Sequence, residues 1–147
     1  MTRLDPQQLA EAASAAMYER DPASQGMGIQ LEKVAPGYAE MKMQIREEMV
    51  NGHEICHGGY IFSLADSTFA FACNSYNFNT VASGARIEYL RPAKLGDELT
   101  ATGREAVQSG RSGVYDVEVH NQSGDIIALF RGNSTRIKGY LIPDAAE

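Results

Sequence analysis

Between Gly58 and Tyr76 the chain carries Tyr60, Ile61, Phe62, Leu64, Ala65, Phe69, Ala70, Phe71, Ala72 and Cys73. At helical spacing these apolar side chains spread around every face. A helix of that kind must be buried on nearly all sides, so the rest of the chain has to supply its cover. Four strand-like stretches follow it, at 80–90, 97–107, 113–121 and 125–137, punctuated by Pro92, Gly96, Ser109-Gly110 and Ser123-Gly124. Two more precede it, 27–34 and 38–46, on either side of a Pro36-Gly37 turn that marks a hairpin. Residues 5–19 open with Asp5-Pro6 and set Leu9, Ala12, Ala13, Ala16 and Met17 on one helical face, which predicts an amphipathic leading helix.

Short turns between successive strands favour antiparallel neighbours, because parallel pairs need long crossovers. The order therefore predicts an α+β fold, a curved antiparallel sheet wrapped around one central helix at about 58–76. With 147 residues, 44% of them apolar, residues 1–147 are expected to form one domain. A single sheet leaves part of the helix uncovered, and a second copy of the chain would cover it.

Charge and composition exclude several classes. The net charge of −6 opposes a sequence-independent nucleic-acid binder, which needs a basic face to displace counterions. No run approaches the ~18 apolar residues of a membrane span, and the N-terminus lacks a basic start followed by an apolar core. Only two cysteines occur, Cys56 and Cys73, too few for the disulfide framework of a small secreted domain. A cytoplasmic protein with free thiols, no membrane and no nucleic-acid partner is expected.

Residues 51–66 read NGHEICHGGYIFSLAD, and the HEICH within them matches the H-E-x-x-H pattern of zinc proteases. That pattern needs a helix, because only i, i+4 spacing puts both imidazoles on one face. Asn51-Gly52 and Gly58-Gly59 flank the pentapeptide and disfavour helix, so residues 51–57 are expected to form a loop. No third ligand is apparent beyond the lone His120, and no metal is expected.

Asp66 lies about two turns into the apolar helix, where an ionised carboxylate is costly unless paired, hydrated or used. The plain alternative is an Asp that bonds a neighbouring Ser67 or Thr68, or that points to water through a gap. Gly58 and Gly59 stand at the helix start, where the first amides lack internal acceptors and the helix dipole adds positive charge. Glycine there lets a substrate carbonyl approach the backbone, although a GG pair can also merely end a turn. Together an amide that polarises a carbonyl and a carboxylate that acts on it as base or nucleophile suit acyl transfer to water, with an activated thioester as substrate.

The run NGHEICHGGYIFSLADSTFAFACNSYN resembles the central segment of the hotdog-fold thioesterases of the phenylacetate-degradation, or PaaI, branch. The likeness continues through IEYLRPAKLGDELTATG and VYDVEVHNQSGDIIALFRG. The resemblance implies an acyl-CoA thioesterase without cofactor, acting on phenylacetyl-CoA or ring-hydroxylated relatives. It also implies a homodimer or homotetramer whose sites are shared between subunits. Carried onto this sequence, the carbonyl-binding amide falls on Gly58 beside Gly59, the acid on Asp66, and an assisting Asn on Asn51. Ser83 is the nearest strand hydroxyl, and His57 is expected to fix the loop and the helix start.

Arg91, Lys94 and Arg111 are candidate partners for the CoA phosphates, each equally readable as a solvated surface charge. Tyr60, Phe62, Phe69 and Tyr76 could line an acyl pocket or simply be core. Two other readings stay open. A hydro-lyase of the same fold would need His57 as base, and a non-catalytic acyl-CoA-binding module would not need Asp66.

Overall fold

The structure is a computed structural model that describes residues 3–145. The leading helix α1 spans Pro6–Glu19 and starts with a reciprocal cap. The Asp5 carboxylate accepts from the Gln8 amide at 2.8 Å, and the Gln8 side chain accepts from the Asp5 amide at 3.0 Å. Ala10, Ala13 and Ser14 are its buried residues. A short helix α2, Pro22–Gly26, follows, capped by Asp21. Nothing in the hydrophobic period announces it, since five residues are too few for a stripe.

The hairpin appears as β1, Gln30–Ala35, and β2, Tyr38–Gln44. The central helix α3 runs Gly58–Cys73, three residues shorter than the apolar pattern suggested. Asn74 stops it. The Asn74 amide group donates to Ala70 O at 2.9 Å and Thr80 O at 3.0 Å and accepts from Thr80 N at 2.9 Å, turning the chain into the next strand. That strand is β3, Phe78–Tyr89, followed by β4, Glu98–Ser109, β5, Ser112–His120, and β6, Ile126–Tyr140.

All six strands join one antiparallel sheet in the order β1-β2-β4-β5-β6-β3. Adjacency of successive strands holds for three hairpins, β1–β2, β4–β5 and β5–β6, and fails on either side of β3. β3 pairs with β6 at the far edge, and residues 90–97 carry the chain back to β4 in the middle. One edge of β3 is left without a neighbour among the described residues.

The concave face presents matched buried rows, including Met41 opposite Ala101, Ala101 opposite Val119, and Val117 opposite Phe130. These rows receive α3 through Ile61, Leu64, Ala65, Thr68, Phe69, Phe71, Ala72 and Cys73. Close approach depends on glycine. A Cβ on Gly132 would sit 2.8 Å from three carbons of the Phe69 ring, which packs with centroids 5.9 Å from Tyr115 and 5.7 Å from Phe130. The helix is therefore not buried all round. Gly59, Ser63, Asp66 and Ala70 form one less buried line along it, at i, i+4, i+7 and i+11.

Candidate active site

Residues 51–57 form a loop, as the flanking glycines indicated. Glu54 has φ 60°, and Ile55 and Cys56 make extended bridges to Lys94 and Val50. The two imidazoles of HEICH consequently share no helical face, which denies them the zincin geometry. Among the described residues no group of His, Cys, Asp and Glu is arranged to hold a metal ion.

Asn51 organises this loop. Its Oδ1 accepts from the His53 amide at 2.9 Å and the Ile55 amide at 3.2 Å, which leaves Nδ2 as the group able to face a ligand. Backbone bonds then staple the loop on both sides. His57 N donates to Met49 O at 2.9 Å, Cys56 N to Ala93 O at 2.8 Å, and Leu95 N to Glu54 O at 3.0 Å. The His57 side chain is exposed and makes no capping hydrogen bond, so the backbone rather than the imidazole anchors the helix start.

Gly58 occupies the first position of α3, where its amide has no intrahelical acceptor. The reason for glycine is steric and lies in β3. A Cβ at 58 would meet the Tyr89 ring at 2.8 Å and its hydroxyl oxygen at 2.9 Å. The Tyr89 hydroxyl donates to Gly58 O at 2.9 Å. Gly59 has open space where a Cβ would be. An open groove of about 440 Å³ lies beside this helix head, walled by Ile55, Cys56, Ile61, Tyr89, Leu90 and Pro92. It is a mostly apolar slot, and Gly58 lies on its wall.

Asp66 is partly buried on the less covered line of α3. The neighbours that could have neutralised it are engaged elsewhere. Ser67 Oγ lies 2.9 Å from Ser24 Oγ, and Thr68 Oγ1 donates to Leu64 O at 2.8 Å. No hydrogen bond or ion pair holds the Asp66 carboxylate among the described residues, and burial pushes its pKa above the ordinary Asp value. Gly58 and Asp66 sit at opposite ends of eight residues of helix, about 12 Å along the axis at ~1.5 Å per residue.

The remaining candidates divide by location. Arg91 and Lys94 lie on the rim near the helix head, but they share it with Asp97 and Asp125, so the rim is balanced rather than basic. Arg91 Nη1 is 3.8 Å from Asp125 Oδ1. Arg111 is at the β4–β5 turn, at the opposite end of β4 from Lys94. Ser83 donates to Asn133 O at 3.2 Å in the middle of β3, about 20 Å along the strand from Tyr89 at ~3.3 Å per residue. Neither Arg111 nor Ser83 joins Gly58 within one chain.

Of the aromatic residues, Tyr60 and Phe62 are half-buried, with Phe62 edge-on to Phe130 at 5.5 Å. Phe69 is core, and Tyr76 is beyond the other end of α3, where its hydroxyl donates to Glu105 at 2.8 Å. Tyr89 went unread in the sequence. The signal was the IEYL run entering the LRPA segment, but pairing with Gly58 across 31 positions leaves no local pattern.

A family model described as the thioesterase superfamily matches residues 53–128. The acyl-coenzyme A thioesterase PaaI of Escherichia coli K12 is 46% identical over 130 residues, covering 88% of this chain and 93% of that protein. The solved structure of E. coli PaaI, from the phenylacetic acid degradation operon, superposes with a TM-score of 0.91 and 44% identity, covering 92% of this chain and 99% of that one. A Streptococcus mutans protein solved with acetyl CoA gives a TM-score of 0.73 at 27% identity, over 76% of this chain and 90% of its own. The chain belongs to the thioesterase superfamily and has its hotdog fold. Within that superfamily it is a thioester hydrolase of the PaaI branch of acyl-CoA thioesterases.

Proposed function

We propose that this thioesterase hydrolyses phenylacetyl-CoA or a ring-hydroxylated relative to the free acid and CoA, at sites completed by two copies of the chain. The observation that carries the mechanism is the half-buried Asp66 carboxylate, unpartnered among the described residues, on the same helix whose first residue lines an apolar groove. The thioester carbonyl oxygen accepts from the Gly58 amide, so the charge that develops on it is held by a donor already in place. Asp66 takes a proton from water as the water oxygen adds to the carbonyl carbon, or adds to that carbon itself, in which case the acyl-Asp66 anhydride left after C–S cleavage is hydrolysed by water to the free acid and the carboxylate. The C–S bond then breaks and the sulfur leaves as the CoA thiolate, which is protonated to the thiol. Asn51 Nδ2 steadies the carbonyl or the water.

Separation along α3 keeps Gly58 and Asp66 of one chain from meeting around one carbonyl. Two helices packed antiparallel along the Gly59, Ser63, Asp66 and Ala70 line bring the head of one near the middle of the other. The small side chains on that line permit close approach, and β3 has a free edge among the described residues. In such a dimer or tetramer Ser83 and Arg111 reach the site from the partner, while Arg91 and Lys94 are the cations nearest the groove for the CoA phosphates. Such an enzyme works in the cytoplasm, with the CoA pool. No helix among the described residues is long and apolar enough to cross a membrane.

The hydro-lyase reading needs an oriented His57, and the exposed, unbonded imidazole does not favour it. The decisive experiment follows thiol release from a panel of aliphatic and aromatic CoA thioesters with a thiol-reactive dye. Aromatic acyl groups are expected to give the highest kcat/KM. Equal turnover of all acyl groups would refute the substrate assignment.

A further inference from the structure

Tyr89 stands at the helix head with no part in the chemistry described above. It arrives from the last position of β3, whereas Gly58 follows a loop stapled to residues 49 and 93. Two contacts tie them. The Tyr89 ring fills the volume a Cβ at 58 would need, and its hydroxyl donates to Gly58 O at 2.9 Å. That carbonyl also serves the ladder of α3, whose fifth residue, Phe62, supplies its helical donor. A carbonyl has two lone pairs, so the phenol takes the second.

A second donor on Gly58 O polarises the Gly58–Gly59 peptide and makes the Gly59 N–H a stronger donor, since linked hydrogen bonds reinforce one another. It also holds the plane of that peptide at the helix head. We propose that Tyr89 is a positioning residue, locking the Gly58–Gly59 turn in the orientation in which its amides meet the thioester carbonyl. This rests on the reading of Gly58 as the carbonyl-binding amide. Burial and the nearby Cys56 raise the Tyr89 pKa above its usual value, so the phenol stays protonated and donating at neutral pH.

The hydroxyl and the ring have separable effects. Tyr89→Phe keeps the groove wall and removes the bond, so kcat should fall about tenfold with KM nearly unchanged, the signature of lost orientation. Tyr89→Ala removes the wall as well, and KM should rise too. A kcat for folded Tyr89→Phe within about twofold of wild type overturns the proposal.

A second readout does not depend on turnover. In 15N-labelled protein the Gly59 amide proton should move upfield in Tyr89→Phe, as the peptide loses its added polarisation, and an unmoved resonance also overturns the proposal. If the wild type releases no thiol from any CoA thioester, the functional reading fails while the Gly59 resonance still decides the role of Tyr89.

Discussion

A carboxylate that burial makes harder to ionise, with no partner among the described residues to compensate it, marks a candidate functional position. Two consequences follow for Asp66. Asp66→Asn should lower kcat by ~10² or more with KM little changed, as for loss of a catalytic base. The wild-type rate should rise with pH through an apparent pKa above the ordinary Asp range, because the working form is ionised. Steady-state kinetics from pH 4 to 9 checks both, and an unchanged kcat in folded Asp66→Asn would remove the residue from the chemistry. The second consequence is thermal. A raised carboxylate pKa means that the neutral form suits the fold. The stability it allows is fully present below the unfolded-state pKa and lost as pH rises through the folded one. Asp66→Asn should therefore melt above wild type at pH 7, and the gap should close as pH falls below ~4. A variant that melts lower at pH 7 contradicts this. Asp66 was legible in the sequence because an acid among apolar neighbours violates a local rule. Tyr89 was not, because its meaning lies wholly in a contact with a residue 31 positions away.

At the scale of elements, period and punctuation carried most of the information. The α1 cap, the β1–β2 hairpin, the 51–57 loop and the start of α3 all follow from residues within a few positions of one another. What stayed hidden was set by partners distant in sequence. The end of α3 depends on Asn74 meeting Thr80, and the crossing from β3 to β4 depends on which edge is free to pair. The fit of helix to sheet belongs to the same class, and Gly132 tests it. A methyl group there would drive the Phe69 ring from its place between Tyr115 and Phe130. Gly132→Ala should lose about 1–3 kcal/mol, the usual cost of overpacking a filled core. The smaller ring-free side chain of Phe69→Leu should recover part of that loss when combined with it. Urea midpoints of the two single variants and the double variant measure the coupling, and wild-type stability in Gly132→Ala would mean that the contact is slack.

For the whole molecule, the site parts read from the sequence fall into two groups that one chain does not unite. Gly58, Asn51, Arg91 and Lys94 surround the helix head, whereas Asp66 and Ser83 lie on the less buried helix line and on β3. Inactive variants should then rescue each other. Asp66→Asn keeps a working helix head, and Gly58→Val, whose side chain covers the amide and displaces Tyr89, keeps Asp66. A proline at 58, otherwise suited to a first helical position, would strike Tyr89 as well. Random mixing of equal amounts makes about half the dimers mixed, each with one intact site of two. Co-expression should therefore restore roughly a quarter of wild-type activity. Isolated heterodimers without activity would mean that each chain builds its site alone.

The place of β3 in the sheet also governs how the chain is made. Its one neighbour among the described residues is β6, and their register runs from Phe78 with Tyr140 to Tyr89 with Ala128. On a translating ribosome, β3 emerges well before the strand that will hold it. Until β6 follows, α3 lacks part of its apolar cover, and Tyr89 is held at the helix head by nothing on its other side. The end of the molecule that holds the proposed site is thus assembled from a pairing of high sequence separation, the kind that forms slowly and leaves sticky surface exposed meanwhile. A newly made chain should be most vulnerable to aggregation in the interval between the synthesis of these two strands.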